Sequence, residues 1–400
     1  MLLITQYFPP DLGGAATRNS NLSKGLSLNG CNLTIITAFP HYPHGTIPLK
    51  YKSVLVKVEG IEKIKIIRTY IPPIKSEGIA KRLILMVSFA ISSLFALPFC
   101  DKADIIWGGS WVPGLLYSKL KRIPVVLDVC DLTVEDLPLL KIAKQDSLLL
   151  KIASTIYRFF YLKGDAIAPI SPGYVETIVN KYSVKRDRIS VIPVGVDSTE
   201  FNDDRKVGLR RGPYKIIYAG VLGVGYDFEQ VFGAAKILED KRINVQFILH
   251  GAGECLESIK SRLKELNLTN VIVSDRLLSS RKEVACLLNG ADALILPLKD
   301  YGAPYPGIPS KLYEYQAVGK PIICCAEGEP AKYIRSSNSG IVVKPESSQE
   351  LAQAVTYLFA NTKIARQMGE NGRRFVEREV DITVIGAKAK ALFAKLTAKN

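Results

Sequence analysis

The chain has 400 residues, 48% of them hydrophobic and 23% charged, with no low-complexity tract. That is more chain than one hydrophobic core holds, so two globular domains are expected, and fibrous and intrinsically disordered classes are excluded. Its 53 basic and 38 acidic residues, a net charge of +15, favour an anionic partner: phosphorylated substrates or an anionic membrane.

The charge is spread evenly: residues 1–200 carry 24 basic and 16 acidic side chains (+8), and residues 201–400 carry 29 and 22 (+7). Neither half is a basic tail and no helix carries a nucleic-acid signature, so nucleic acid is not an expected partner. The opening MLLITQYFPP has no basic leader and turns at Pro9-Pro10, so no signal peptide is expected. The seven cysteines lack a metal spacing, and adjacent Cys324 and Cys325 inside an apolar run suit reduced, buried thiols in a cytosolic setting.

In chain order, LLIT (2–5) reads as a first strand that runs into Gly13 and Gly14 at a strand-to-helix turn. Small residues there let a phosphate approach backbone N–H groups at a helix N-terminus, where the helix dipole favours anions. Arg18, about one turn into that helix, could add a charge-assisted contact; the plainer reading is a tight turn and a surface arginine. Further strand-like runs follow: NLTIIT (32–37), KIKIIR (63–68), DIIW (104–107), VVLDV (125–129), AIAPI (166–170) and ISVIPV (189–194). Between them, residues 83–100 form an uncharged stretch at the threshold length for a spanning helix. A crossing there would put strands of one sheet on opposite sides of a bilayer, so a buried crossover helix or one lying in the interface is expected. Residues 128–137 place Asp128, Asp131, Glu135 and Asp136 after a buried strand, as a possible base or hydroxyl-binding group or as a solvated acidic loop. Residues 137–163 combine apolar positions with Lys141, Lys144, Lys151, Arg158 and Lys163 and an aromatic cluster at Tyr157 and Phe159–Tyr161, the composition of helices on an anionic surface.

The polar stretch 197–214 reads as a linker, and a second series of strands begins after it: KIIYAG (215–220), VQFILHG (245–251), NVIVSD (270–275), ALILPL (293–298), PIICCA (321–326) and GIVVKP (340–345). Strands alternating with helices predict an α/β protein of two Rossmann-like, doubly wound domains whose ligands bind at the carboxyl ends of the strands, in a cleft between the halves. The domain boundaries expected are 1–196, a linker 197–214, 215–380, and a C-terminal helix within 381–400 that packs back on the first domain. Gly220, Gly223 and Gly225 make a second Gly-rich turn, spaced GxxGxG rather than GxGxxG, which weakens a dinucleotide reading and leaves a diphosphate held by backbone N–H groups. Ser310 is the expected N-cap of a short helix carrying Lys311 and Glu314. Lys311 could reach a phosphate, and Glu314 could accept hydrogen bonds from vicinal hydroxyls. Alternatively the two form an i,i+3 surface salt bridge contributing about a few tenths of a kcal/mol. There is no DxD metal motif, no P-loop and no nucleophile elbow, and the histidines His41, His44 and His250 are too scattered for a metal site.

Taken together, these motifs resemble the retaining, nucleotide-sugar-dependent glycosyltransferases of family 4, with the GT-B fold, in the branch that builds O-antigen and colanic-acid-type polysaccharides. The resemblance is carried by YFPP…GG…R (Tyr7–Arg18), FPHYPHG (Phe39–Gly45), SPGY (Ser171–Tyr174), VIPVGVD (Val191–Asp197) and PSKLYEYQAVGKP (Pro309–Pro321). It implies a donor diphosphate approached by Gly13 and Gly14 from the first domain and by Gly220 and Gly223 from the second. It further implies Lys311 compensating the diphosphate charge, Glu314 on the donor ribose, and Gly328 and Glu329 at the donor. Asp131 is implied as a catalytic group, with Arg18, His41 and His44 on the acceptor side. It also implies no metal and no cofactor, a nucleoside diphosphate sugar (UDP-linked) as co-substrate, a polyprenyl-diphosphate-linked saccharide as acceptor, and peripheral or monotopic attachment to the anionic cytoplasmic face of the plasma membrane. Pro306 stands where many relatives carry a first glutamate, Val194 where they carry Asn, and Cys130 where they carry His, and the 220–225 turn lacks their basic residue. The alternatives are a nucleotide-sugar epimerase of the same architecture, a non-catalytic membrane-bound saccharide-lipid binder and, with the wrong glycine spacing, a nicotinamide dehydrogenase.

Overall fold

The structure is a computed structural model and describes all residues except 62–63, 76–77, 140–143, 145–146, 202–211, 277, 279 and 399–400. The chain divides into two compact units, Met1–Gly195 with Ile382–Asn400, and Val196–Asp381. The centre of the expected linker, 202–211, and Lys141 lie outside the described residues.

The first unit is built on β1 (Leu2–Ile4), β2 (Leu33–Ala38), β3 (Val56–Ile61), β4 (Ile64–Thr69), β5 (Ile106–Gly108), β6 (Val125–Val129) and β7 (Ala166–Pro169). Their spatial order is β3-β4-β2-β1-β5-β6-β7, with only β3 antiparallel. Without β3, this is the 3-2-1-4-5-6 order of a doubly wound sheet, and its switch point falls at β1. The apolar runs form central strands because both faces are covered: β1, β2, β5, β6 and β7 are buried along their lengths. Two expectations are corrected. The run 189–194 forms no regular strand; it lies beside β7, bridging Ile167 to Ile189 and donating from Ser190 N to Ile167 O and from Ile192 N to Pro169 O, both at 2.9 Å. Conversely, β3, a short run (VKVEGI) that alternates apolar and charged residues up to Gly60, pairs as an edge strand.

The second unit is built on β8 (Tyr214–Ala219), β9 (Val245–His250), β10 (Val271–Ser274), β11 (Ala293–Pro297), β12 (Ile322–Cys325) and β13 (Gly340–Val343), all parallel in the order β10-β9-β8-β11-β12-β13. This is again 3-2-1-4-5-6, with its switch point at the carboxyl ends of β8 and β11. Cys324 and Cys325 are fully buried in β12, and burial pushes both thiols up.

The C-terminal helix, Ile382–Thr397, belongs to the first unit and lies against helix Gly14–Leu28. A Cβ on Gly25 would run into the Ile382 carbonyl, and one on Gly386 into the Gly25 backbone. Asn29 Nδ2 donates to Thr383 O (2.9 Å) and Lys390 Nζ to Asn29 O (2.7 Å). Gly386 is the point where the two helix backbones touch.

Within the uncharged stretch, helix Gly78–Leu94 buries Leu85, Phe89 and Ser93 against the sheet and exposes Leu83, Ile84, Val87 and Ile91. Among the described residues, no helix is long and apolar enough to cross a membrane. Helix Leu148–Lys163, capped by Ser147 accepting from Leu150 N, repeats the pattern. It buries Leu150 and Tyr161 and exposes Leu148, Leu149, Ile152, Ile156 and Phe159.

Candidate active site

In the second unit, Gly220 and Lys311 come together where β8 ends. Gly220 has φ +147°, and its N–H donates to His250 O at 2.9 Å. The turn after it lies directly on the 251–253 turn: a Cβ on Gly251 would overlap the Gly220 carbonyl and one on Gly253 the Leu222 carbonyl. Side chains are excluded there because two backbones already fill the space.

The short helix Lys311–Ala317 is fastened over this turn. The buried Tyr315 hydroxyl accepts from Ala219 N at 3.0 Å, and Gln316 Nε2 donates to Ser337 Oγ (2.8 Å) and Ser339 Oγ (2.9 Å). Ser310, expected as its N-cap, has helical φ and ψ (−56°, −28°) and makes no side-chain capping bond, so that expectation is corrected. The Lys311 ammonium donates to the Tyr218 hydroxyl at 2.9 Å and stands 4.2 Å from the ring centroids of both Tyr218 and Tyr226. A Cβ at Gly220 would lie 2.7 Å from Lys311 Nζ, so the glycine makes room for the cation. Two tyrosine faces hold the ammonium without neutralising it, since cation–π attraction leaves the net charge in place.

Glu314 turns the other way. Its carboxylate, 16% exposed, accepts from Arg281 Nη1 at 2.8 Å. Arg281 in turn lies 3.5 Å from Glu200 and over the Phe201 ring at 5.1 Å. Among the described residues, no Lys311–Glu314 ion pair forms, which rules out the i,i+3 surface-bridge reading. Gly328 (φ +81°) packs on the backbone of Tyr305; Glu329 N donates to Tyr305 O at 2.8 Å, and the Glu329 carboxylate pairs with Lys332 at 2.9 Å.

In the first unit, Gly13 and Gly14 open helix Gly14–Leu28, are exposed, and have no side-chain cap. Arg18 is not a surface arginine. It is 1% exposed, pairs bidentately with Asp128 of β6 (3.3 and 3.1 Å), donates to the Pro193 carbonyl and lies over the Trp107 ring. This corrects its assignment to the acceptor: it has no surface to offer, and it ties the helix, β6 and the 193 turn together. Removing one partner of such a pair leaves a buried charge uncompensated, at a cost of about 3–5 kcal/mol.

His41 is also buried. Its Nδ1 meets Phe39 O (2.9 Å) and Asp11 (3.5 Å), its ring stacks on Tyr7, and its Nε2 has no hydrogen-bond partner among the described residues. Asp11 accepts from the backbone N–H groups of His41 and Tyr42 (2.8 and 2.9 Å), and burial raises its pKa. His44 is exposed. At the end of β6, Asp131 remains open to solvent, yet desolvation first and Asp128 second raise its pKa. Asp136 is raised to about 6 by desolvation, then by Asp131 and Glu135. The Glu135 carboxylate accepts from Lys181 Nζ (2.6 Å) and the Tyr182 hydroxyl (2.7 Å). The described residues hold no cluster of ligating side chains for a metal ion.

The sequence reading missed Arg281, Tyr218, Tyr226 and Asp11. Tyr218 and Tyr226 flank the Gly-rich turn and were open to discovery there. Arg281 carried no local signal.

Comparison with known proteins places the chain in a family. The profile for Glycosyltransferase Family 4 matches residues 12–200, and that for Glycosyl transferases group 1 matches residues 199–375. WcaL of Escherichia coli (strain K12), a glycosyltransferase named for colanic acid biosynthesis, is 24% identical over 242 residues, 60% of this chain and 59% of its own. WcaI of the same strain, also named for colanic acid biosynthesis, is 24% identical over 394 residues, 93% of this chain and 95% of its own. Among solved structures, Anabaena Alr3699/HepE in complex with UDP superposes with a TM-score of 0.68 at 14% identity, covering 99% of both chains. With one profile on each half and two Rossmann-like domains of the GT-B architecture, the chain belongs to the family 4 glycosyltransferases.

Proposed function

We propose that the protein transfers a sugar, a hexose or N-acetylhexosamine, from a UDP-linked donor to a polyprenyl-diphosphate-linked saccharide in cell-surface polysaccharide biosynthesis, with retention at the anomeric carbon. The observation that carries this reading is the Lys311 ammonium, held beside Gly220 by two tyrosine rings with no carboxylate partner among the described residues. That is a site for the charge that develops on a leaving diphosphate, and preorganised charge of this kind is usually the largest catalytic term. Gly220 and Gly223 bring backbone to the phosphates.

Glu314, oriented by Arg281, binds the ribose diol, and Gly328 and Glu329 border the donor. In the reaction the anomeric C–O bond to the diphosphate breaks and the acceptor oxygen bonds to the same face. The acceptor proton passes to the departing phosphate oxygen, since no enzyme nucleophile is in evidence. Asp131, with its raised pKa, is assigned to a substrate hydroxyl and the exposed His44 to the acceptor, whereas the His41 side chain, as buried as that of Arg18, supports Asp11 and the 39–42 turn instead. No metal takes part. UDP bound to HepE supports the nucleotide, and the names of WcaL and WcaI support the pathway.

The exposed apolar faces of helices Gly78–Leu94 and Leu148–Lys163, with Lys151, Arg158 and Lys163 on the latter, support docking on an anionic membrane at its cytoplasmic face. The test is a transfer assay with a lipid-linked acceptor. Glu314→Ala and Lys311→Ala should each abolish most of the activity, and near-wild-type rates for both would refute the site.

A further inference from the structure

A cavity of about 670 Å³ in the first unit is left unused by the donor machinery. It lies at the carboxyl end of the sheet: β4 ends at Thr69, just before Tyr70, and antiparallel β3 starts at Val56, just after Val54 and Leu55. Ligands of doubly wound sheets bind at this end. The walls are apolar, with Ile47, Val54, Leu55, Tyr70 and Pro73 lining the space. Tyr70 N donates to Leu55 O at 2.9 Å and ties two walls together. Gly45, at φ +70°, packs directly on the backbone at Lys75, where a Cβ would collide, so the FPHYPHG loop closes another side.

Leu55 (64% exposed) and Val54 and Tyr70 (41% each) hold apolar surface open to solvent. Such surface is unfavourable without an apolar occupant. The mouth is basic. Lys52 lines the cavity with no carboxylate against it among the described residues; Lys50 and Lys57 do not line it but stand over the ring of the lining residue Tyr51 at 4.8 and 5.1 Å. The nearby acid, Glu59, is bound to Arg68 (2.7 Å) and the Tyr51 hydroxyl (2.9 Å) and lies 3.8 Å from Lys50, so Lys52 supplies the cationic rim.

Apolar walls under a cationic rim fit a molecule with an apolar chain and an anionic head; a free sugar would need many more hydrogen-bonding groups. We infer that this cavity holds the first stretch of chain, and Lys52 the phosphate, of a single-chain lipid phosphate or diphosphate. The inference rests on the lipid-linked-acceptor reading above and gives the carrier end of that acceptor its site. The wall residues Tyr70 and Pro73 precede helix Gly78–Leu94 by a few residues, so the lipid end and the apolar outer face share one stretch of chain.

The test is calorimetric titration of the full chain with farnesyl diphosphate below its micellar concentration, with UDP saturating the donor site. The expected result is binding that weakens by about tenfold or more in both Leu55→Glu and Lys52→Glu, with farnesol and inorganic diphosphate each binding far less tightly. Ile84→Glu on the outer helix face should leave it unchanged. Unchanged affinity in Leu55→Glu, equal affinity for inorganic diphosphate, or an equal loss in Ile84→Glu would overturn the assignment. The two readings separate cleanly. Leu55-dependent binding in a protein that transfers no sugar supports the cavity and refutes the transferase site. Full transfer to a lipid-linked acceptor by Leu55→Glu refutes the cavity alone.

Discussion

Lys311 Nζ lies 2.9 Å from the Tyr218 hydroxyl and above its ring, and Gly220 makes room for it. The cation is thus presented at a backbone turn rather than spent on the glutamate one turn along its own helix. Lys311→Met should lower kcat by about 10²–10³-fold, the scale for losing a preorganised charge at a developing anion, while the thermal midpoint moves little. Steady-state kinetics with a UDP-sugar checks it; a change confined to KM would contradict a transition-state role.

Arg281 orients Glu314 without itself being assigned to the substrate. Arg281→Gln should raise the donor KM by about tenfold, as expected when a charge-assisted hydrogen bond is lost, with a smaller change in kcat and partial rescue by Arg281→Lys. A purely structural role would instead lower the melting temperature and leave the ratio of KM to kcat effects unaltered.

Asp136 gives a pH dependence of stability. Its pKa rises from 3.8 to about 6 on folding, so the native state holds this proton more tightly than the unfolded chain. The carboxylate therefore destabilises the fold increasingly as pH rises from the unfolded value through about 6, and contributes nothing below it. Asp136→Asn should raise the melting temperature by about 2–4 °C at pH 8 and by nothing measurable at pH 3.5. Melting curves at the two pH values decide, and an equal gain at both would contradict it.

The contact of Gly25 with Gly386 leaves no room for a methyl group. Gly386→Ala should destabilise the first unit by about 1–3 kcal/mol, the usual cost of overpacking. Gly60→Ala, where a Cβ meets nothing within 4 Å, is the control. Chemical denaturation curves of the two variants should differ clearly.

Membrane docking predicts that Ile84→Glu and Ile156→Glu reduce co-sedimentation with anionic liposomes while UDP binding is kept. Wild-type binding should weaken as salt rises, because the lysine contribution is screened. Undiminished co-sedimentation of the double variant would rule these faces out.

Much of the fold was legible because the apolar runs are short, β-branched and regularly spaced, and both faces of each parallel strand are covered. LLIT, VVLDV and PIICCA became β1, β6 and β12 on that pattern alone. Residues 189–194 have the same composition but make only a few backbone bonds along the edge strand β7, and composition does not say how far such a pairing extends. Edge strand β3 was missed because its charged positions are satisfied only in the fold: Glu59 pairs with the buried Arg68 of β4, while the apolar Val58 is left exposed.

At the sites, sequence by itself determined which residue types stand near which turns: Gly220 after a strand, and Lys311 and Glu314 on one short helix. Only tertiary structure decided where their charges go. Lys311 turns to Tyr218 and Glu314 to Arg281, 33 positions away in sequence. The same holds for Arg18, whose partner Asp128 is 110 positions distant. Helical spacing states which side chains can reach one another locally; burial and the opposing charge brought in by another strand or helix decide which of them do.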